Sequence, residues 1–152
     1  MPRIDLSDAS FRSACHQAVL EVLETMFFEL PLDSPELRPN PAPSACCVTA
    51  RFGGSLTGAI TLVLTGGLGH QLAASFLGLE DGDPDPSECR SVAIEMTNVL
   101  CGATMSRIEP AGRLHIEPPE LAAAPPGSPG PWLSFALESG RLDVHAEYTA
   151  ES

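Results

Sequence analysis

The sequence predicts an α+β fold, a mixed α/β sandwich in which helices cover a mainly antiparallel sheet. Two observations support this prediction. Apolar residues recur at helical spacing in three segments, and they alternate at strand spacing around two glycine-containing turns. Elements of both kinds bury their apolar faces against each other. The 152 residues, 43% hydrophobic and 18% charged, are expected to form a single domain over 1–152.

The first helix is predicted over 8–28, with Ser7 as its N-terminal cap. Residues 31–43 follow and contain five prolines, too many for a helix or a central strand. They predict an extended loop over the surface, with a linker to a second domain as the alternative. The apolar face of the helix consists of Phe11, Cys15, Ala18, Val19, Val22 and Met26.

A β-hairpin is predicted next, from strands at 45–52 and 56–65 around the turn Gly53-Gly54. A helix over about 68–78 follows it. The alternation of the second strand predicts one buried face, made of Ile60, Leu62 and Leu64.

The longest helix is predicted over 86–107. Asp85 can cap it, Pro86 suits the first helical position, and Glu88 completes a capping box. One stripe of this helix is apolar and is expected to be buried. It consists of Val92, Met96, Val99 and Ala103.

A second stripe of the same helix contains Ser91, Glu95, Asn98 and Gly102. It sets a carboxylate and an amide one turn apart beside a residue without a side chain. An amide both donates and accepts hydrogen bonds, so it can hold a water in line with a phosphorus atom. The carboxylate can pair with a cationic side chain of the molecule that carries the phosphate. The alternative is an ordinary solvated helix face.

After this helix, residues 114–116 predict a short strand. Residues 118–131 contain six prolines and predict a second irregular loop. A C-terminal hairpin is predicted around the turn Ser139-Gly140. Its inward residues are Leu133, Phe135, Leu137, Leu142, Val144, Ala146 and Tyr148, while Arg141, Asp143, His145 and Glu147 face the other way.

Composition excludes several classes of function. A formal net charge of −12 argues against binding nucleic acid or an anionic membrane surface. The five cysteines show no zinc spacing, and the four histidines suggest no complete ligand set. The glycine-rich stretch 66–69 lacks the Lys-Ser/Thr pair of a phosphate loop. We therefore expect a cytoplasmic protein without a signal peptide, a membrane span, or a metal or cofactor of its own.

The segment from Ser91 to Asn98 resembles the Asp/Ser-x3-Glu-x2-Asn motif of the CheX/CheC/FliY chemotaxis phosphatases. The apolar run that ends at Gly102 is similar to the continuation in that family. The opening helix and the step Ile116-Glu117-Pro118 resemble family features as well, so the likeness spans nearly the whole chain. The insertion at 118–131 departs from the family's compact loop.

The resemblance implies hydrolysis of the aspartyl phosphate of a CheY-like response regulator. Asn98 would orient the attacking water, and Glu95 would pair with the regulator's active-site lysine. Mg²⁺ would come with the regulator. The first helix lacks the motif, which matches the single centre of CheX-type members and implies a homodimer joined through the sheet edge. The alternative is a non-catalytic CheX-like module that binds a response regulator or scaffold protein.

Overall fold

The computed structural model describes residues 2–42, 46–79, 83–122, 125 and 127–150. Within them, eight strands form one sheet in which every pairing is antiparallel. The strands are β1 (Arg3–Asp5), β2 (Glu36–Arg38), β3 (Cys46–Gly54), β4 (Leu56–Leu64), β5 (Leu114–Ile116), β6 (Glu120–Leu121), β7 (Trp132–Leu137) and β8 (Gly140–Ala150).

The sheet has the strand order β2-β7-β8-β4-β3-β5. Strand β8 is long enough to pair with β4 along one side and with both β7 and β1 along the other. Strand β3 likewise pairs with β5 and β6 on its outer side. This arrangement confirms the predicted α+β fold class.

Three helices cover one face of the sheet: α1 (Ala9–Val22), α2 (Leu68–Leu77) and α3 (Pro86–Ile108). The cap of α1 is Asp8, whose Oδ1 accepts a hydrogen bond from the amide of Phe11 at 2.9 Å. The prediction of Ser7 as the cap was wrong, because the Ser7 hydroxyl donates to Asp5 instead. In the described part of the chain, no helix combines the length and apolar character needed to cross a membrane.

The end of α1 differs from a regular helix. A π-helical turn, Leu23–Phe27, replaces its last α-helical turn, and Phe28 closes it with a left-handed backbone at φ 57°. The apolar face predicted for this helix is buried from Phe11 to Val22, whereas Met26 is only half-buried.

The core-facing side of α3 lies about 100°, or one residue, around the helix from the predicted stripe. Val92 and Met96 are buried as predicted, but Val99 is 36% exposed and Ala103 is half-buried. A polar residue can occupy the core-facing side because the hydroxyl of the fully buried Thr97 donates to the Ala93 carbonyl within the helix. The buried residues are Val92, Ala93, Met96, Thr97, Leu100, Cys101, Thr104 and Met105.

Both proline-rich segments contain a short strand at the edge of the sheet, which the sequence did not predict. Strand β2 lies within 31–43, between Pro35 and Pro39, and pairs with β7. Strand β6 lies within 118–131 and pairs with β3. Edge strands tolerate flanking prolines because their outer amides need no partner. Residues 43, 123, 124 and 126 of these segments lie outside the described residues.

The hairpin of β3 and β4 turns around Ser55, so the predicted Gly53-Gly54 turn was wrong. The pairing of Phe52 with Gly58 centres the hairpin there, and both glycines instead pair with β5. A side chain at Gly54, whose φ is 128°, would collide with the Arg113 carbonyl. Pairing of Leu137 with Gly140 likewise moves the C-terminal turn one residue earlier than predicted.

The face of the sheet opposite the helices is partly buried too. Cys47, Val63 and Trp132 form a small apolar cluster there. Thr49 and Thr61 share a 2.9 Å hydrogen bond in its neighbourhood. The prediction of a single buried face for β4 was therefore wrong, because the proline-rich segments cover part of the second face.

Asp143 and His145 face this second side, as predicted, yet both are buried. Asp143 Oδ2 accepts the amide of Ala42 at 2.9 Å, and its Oδ1 accepts the Ser134 hydroxyl. His145 Nε2 lies 3.1 Å from the carbonyl oxygen of Pro129. These contacts hold the two proline-rich segments against the sheet.

Candidate functional site

The start of α3 is fixed by the capping box that the sequence predicted. The Glu88 amide donates to Asp85 Oδ1 at 2.7 Å, and the Asp85 amide donates to Glu88 Oε1 at 3.0 Å. Pro86 occupies the first turn, where its missing N–H costs nothing. The helix therefore begins at a defined residue, and this fixes the rotational position of each side chain further along it.

The four predicted site residues lie along the side of α3 that faces away from the sheet. Ser91 and Glu95 are exposed, while Asn98 and Gly102 are half-buried. At about 100° per residue, this stripe is opposite Ala93. Three residues apart on a helix, the Cβ atoms of Glu95 and Asn98 are about 5–6 Å from each other. The structure thus brings all four residues together on one surface.

Neither Glu95 nor Asn98 forms a side-chain hydrogen bond or ion pair with another described residue. Two other polar side chains of α3 have partners within the protein. Thr97 donates to the Ala93 carbonyl at 2.7 Å, and Arg107 pairs with Glu21 of α1 at 2.6 Å. The carboxylate and the amide are consequently free to bind an external group.

Because Gly102 has no side chain, the helix surface next to Asn98 is recessed. A Cβ atom at this position would lie 3.7 Å from Ile116 Cδ1, an ordinary van der Waals contact. The packing therefore does not require glycine here, and what glycine provides is the absence of a side chain next to the amide.

A shallow apolar cavity adjoins the stripe at its N-terminal end. It has a volume of about 200 Å³ and lies between the end of α2 and the start of α3. Its lining includes Phe76 and Leu77 of α2 together with Ser91 and Val92 of α3. The sequence analysis did not identify this feature. Its only sequence signal is a large apolar pair at the end of a helix, which is equally typical of a core.

A cavity of about 440 Å³ lies on the other face of the sheet and contains none of the four site residues. His115 and His145 both line it but lie on β5 and β8, which β3 and β4 separate in the sheet. Among the residues that the structure describes, no three His, Cys, Asp or Glu side chains converge as metal ligands.

Two of the five thiols are sealed in the core. Burial raises the pKa of both the Cys15 and Cys101 thiols to about 12. The pKa values of the Cys46 and Cys89 thiols are raised as well, first by burial. None of the four candidate site residues is a cysteine, so the site does not use a thiolate.

The fold places the chain in the class of CheX- and CheC-like α+β proteins. The family model described as chemotaxis phosphatase CheX matches residues 46–127, more than half of the chain. The chain belongs to the CheX family. No curated protein sequence matches it.

Solved structures of the same class share the fold at low sequence identity. Chemotaxis protein CheX from Vibrio vulnificus aligns with a TM-score of 0.73 and 16% identity, covering 93% of this chain and 97% of that one. A CheC-like superfamily protein from Shewanella sp. PV-4 gives 0.75 and 17%, covering 94% and 99%. The CheX–CheY–BeF3–Mg²⁺ complex from Borrelia burgdorferi gives 0.68 and 18%, covering 93% and 99%.

Proposed function

We propose that this protein hydrolyses the aspartyl phosphate of a CheY-like response regulator in chemotaxis or another two-component pathway. The observation that carries the proposal is the pair of an exposed Glu95 and a half-buried Asn98 on one side of α3, which has no partner among the described residues of a CheX-family chain. The complex of the Borrelia relative with CheY supports a response regulator as the partner class.

Asn98 has the role of positioning the attacking water. Its amide can accept a hydrogen bond from the water and donate one to a phosphoryl oxygen. The water oxygen attacks phosphorus, the bond from phosphorus to the aspartyl oxygen breaks, and inorganic phosphate and a free carboxylate result. The transition state of phosphoryl transfer is loose, so positioning matters more than a strong base.

Glu95 has the role of orienting the regulator. Its exposed carboxylate can form a charge-assisted bond with the lysine next to the regulator's phosphorylated aspartate. Lysine is a compact point charge, so one carboxylate oxygen is enough to hold it. This contact would bring the phosphoryl group to Asn98, one turn along α3.

Mg²⁺ would belong to the regulator. Glu95 and Asn98 offer fewer oxygen atoms than the six ligands that Mg²⁺ takes, which fits an ion carried largely by the partner. When bound there, Mg²⁺ neutralises charge on the phosphoryl oxygens. The residues of this chain then supply only the water position and the lysine contact.

A non-catalytic module that only binds a regulator is the second candidate, because an exposed carboxylate and amide also suit simple recognition. The test is a panel of receiver domains phosphorylated with a small-molecule phosphodonor, with phosphate release followed over time. We expect accelerated release from at least one receiver. Tight binding to a receiver, without faster phosphate release from any receiver of the panel, would contradict the phosphatase and support the binding module.

We further propose that the protein is a cytoplasmic homodimer joined through an edge of the sheet. The edges are formed by short strands, β2 and β1 on one side and β5 with β6 on the other. Light scattering of the purified protein should give twice the 16.0 kDa chain mass. A single-chain mass at micromolar concentration would contradict this part of the proposal.

A further inference from the structure

The residue that closes α1 is unusual in both backbone and exposure. Phe28 adopts a left-handed backbone, φ 57°, and its side chain is 86% exposed. Its amide bonds to the Glu24 carbonyl at 3.2 Å and the Glu29 amide to the Leu23 carbonyl at 3.0 Å, a helix-ending pattern that usually has glycine at the left-handed position. A bulky residue there is a genuine outlier. Such strain is concentrated at ligand clamps and active sites.

The position of Phe28 is set by its two neighbours, which are both attached to α2. The Ser75 hydroxyl donates to the Phe27 carbonyl at 2.9 Å, and the rings of Phe27 and Phe76 lie 5.9 Å apart. On the other side, Gln71 donates to Glu29 at 2.6 Å. The exposed Phe28 ring is therefore presented at the place where the ends of α1 and α2 meet.

The end of α2, to which Phe27 is attached, also borders the candidate site. Phe76 is 43% and Leu77 40% exposed, and both line the shallow cavity that also contains Ser91 of the site stripe. Ser91 is one helical turn from Glu95. An interface of ordinary size covers about 800 Å² on each partner, a disc of roughly 16 Å radius. A macromolecule that reaches Glu95 and Asn98 must also cover the cavity beside Ser91.

We propose that Phe28, Phe76 and Leu77 form an apolar docking surface for the receiver domain whose aspartyl phosphate is hydrolysed at Asn98. This proposal rests on the proposed function and adds the surface that selects the regulator. Exposed aromatic residues are enriched among the anchors of protein interfaces. Phe28 would be such an anchor, held out by the strained end of α1.

Charge around the docking surface distinguishes the receiver from a second copy of this chain. Glu88 lines the same cavity as Phe76 and Leu77, Glu29 follows Phe28 in the chain, and the whole chain carries a formal charge of −12. Two copies meeting here would bring like charges together, which opposes association. A receiver that presents its active-site lysine to Glu95 brings a positive charge to this negative carboxylate.

The test uses Phe28→Gly and Phe28→Asn, because both residues tolerate a left-handed backbone. The probe is the receiver domain on which the wild-type protein is active, loaded with beryllofluoride and Mg²⁺. We expect binding to weaken roughly tenfold or more, as for loss of an interface anchor. KM for the phosphorylated receiver should rise while kcat stays within about twofold, since binding shared by ground and transition states affects KM alone. The unfolding temperature should stay at the wild-type value or rise.

Leu37→Ala is the matched control, because Leu37 is an exposed apolar residue beside the opposite end of α1. It should change neither binding nor turnover. Asn98→Ala should lose turnover yet still bind the loaded receiver.

Wild-type binding by both Phe28 variants would overturn the docking surface and leave the phosphatase intact. Wild-type protein that neither binds nor dephosphorylates any receiver would overturn the proposed function and the docking surface together. A change in oligomeric mass on Phe28→Gly would assign the surface to a second copy instead.

Discussion

Asp85 and Glu88 exchange two hydrogen bonds across the first turn of α3, each amide donating to the other residue's carboxylate. This reciprocal pair fixes the helix start two and a half turns before Glu95. Asp85→Ala should lower the free energy of unfolding by about 1 kcal/mol and the unfolding temperature by about 2–4 °C. Since the site stripe is remote from the cap, kcat on a phosphorylated receiver should be unchanged at temperatures where the variant is folded. A wild-type unfolding temperature would show that the cap does not limit stability.

Asn98 is the residue on which the proposed chemistry depends most. Asn98→Ala removes the water-positioning amide, and loss of such a contact costs on the order of 10²-fold or more in rate. Asn98→Asp keeps the size but replaces the donor with a charge that repels a phosphoryl group, so it should be at least as inactive. Ser106→Ala, at another exposed position of α3, should retain full activity. Turnover at the wild-type rate by Asn98→Ala would contradict the mechanism.

Glu95 should contribute through charge. Glu95→Gln keeps the shape of the side chain but removes its attraction for the regulator's lysine, so we expect KM to rise about tenfold. Because exposed charges are screened by salt, the ionic-strength dependence of KM should also be weaker in the variant than in the wild type. The free energy of unfolding should change by no more than about 0.5 kcal/mol, as for other exposed helix positions. Equal salt dependence in both proteins would mean that Glu95 does not meet a charged group.

Asp143 should matter for stability and not for catalysis. Its buried carboxylate accepts hydrogen bonds from the Ala42 amide and the Ser134 hydroxyl, on the side of the sheet away from the helices. Asp143→Ala leaves buried donors unpaired and should cost about 1–3 kcal/mol for each. Limited proteolysis should then cut the 31–42 segment faster, with kcat unchanged. Asp33→Ala, at an exposed position of the same segment, is the control and should behave as wild type.

The core thiols should resist alkylation in the native protein. Burial raises the pKa of the Cys15 and Cys101 thiols to about 12, so at pH 8 only about one in 10⁴ of these groups is a thiolate. Reactivity would appear only as the pH rose toward that value or as the protein unfolded. Peptide mass spectrometry after iodoacetamide treatment at pH 8 should find both thiols unmodified in the folded protein. The unfolded protein should be modified at all five cysteines, and equal labelling in the two states would contradict the buried positions.

The sequence predicted the long helix, and the position of the stripe with Glu95 and Asn98 on it, because local chemistry specifies both. The capping box of Asp85 and Glu88 is a contact between near neighbours, and the order of Glu95 and Asn98 on one face follows from helical geometry alone. The alternation of β4 and β8 likewise shows which residues face the helices, although it does not show that the opposite face is buried too. In each case the information lies within a few residues of the element that it describes.

The parts that were missed depend on contacts between distant segments. Strands β1, β2 and β6 have two or three residues each, too few for a periodic pattern, and exist because a longer strand offers them a partner. Val99 was placed in the core because it continues the helical spacing of Val92 and Met96, yet Thr97 is the fully buried residue and satisfies its hydroxyl within the helix. The exposed Phe28 could not be foreseen, since a π-helical turn has no sequence signature that we could use.

Strand β8 is the shared partner of β1, β4 and β7, and this has a consequence for synthesis in the cell. Ribosomes add about 5–20 residues per second, so Arg3–Asp5 waits roughly 7–30 s before residues 147–149 emerge. During that interval β4 has only β3 beside it, and the edge that β8 will cover is open to other chains. The sheet can therefore close only after β8 has emerged, and a chaperone that shields the edge of β4 until then would benefit this chain.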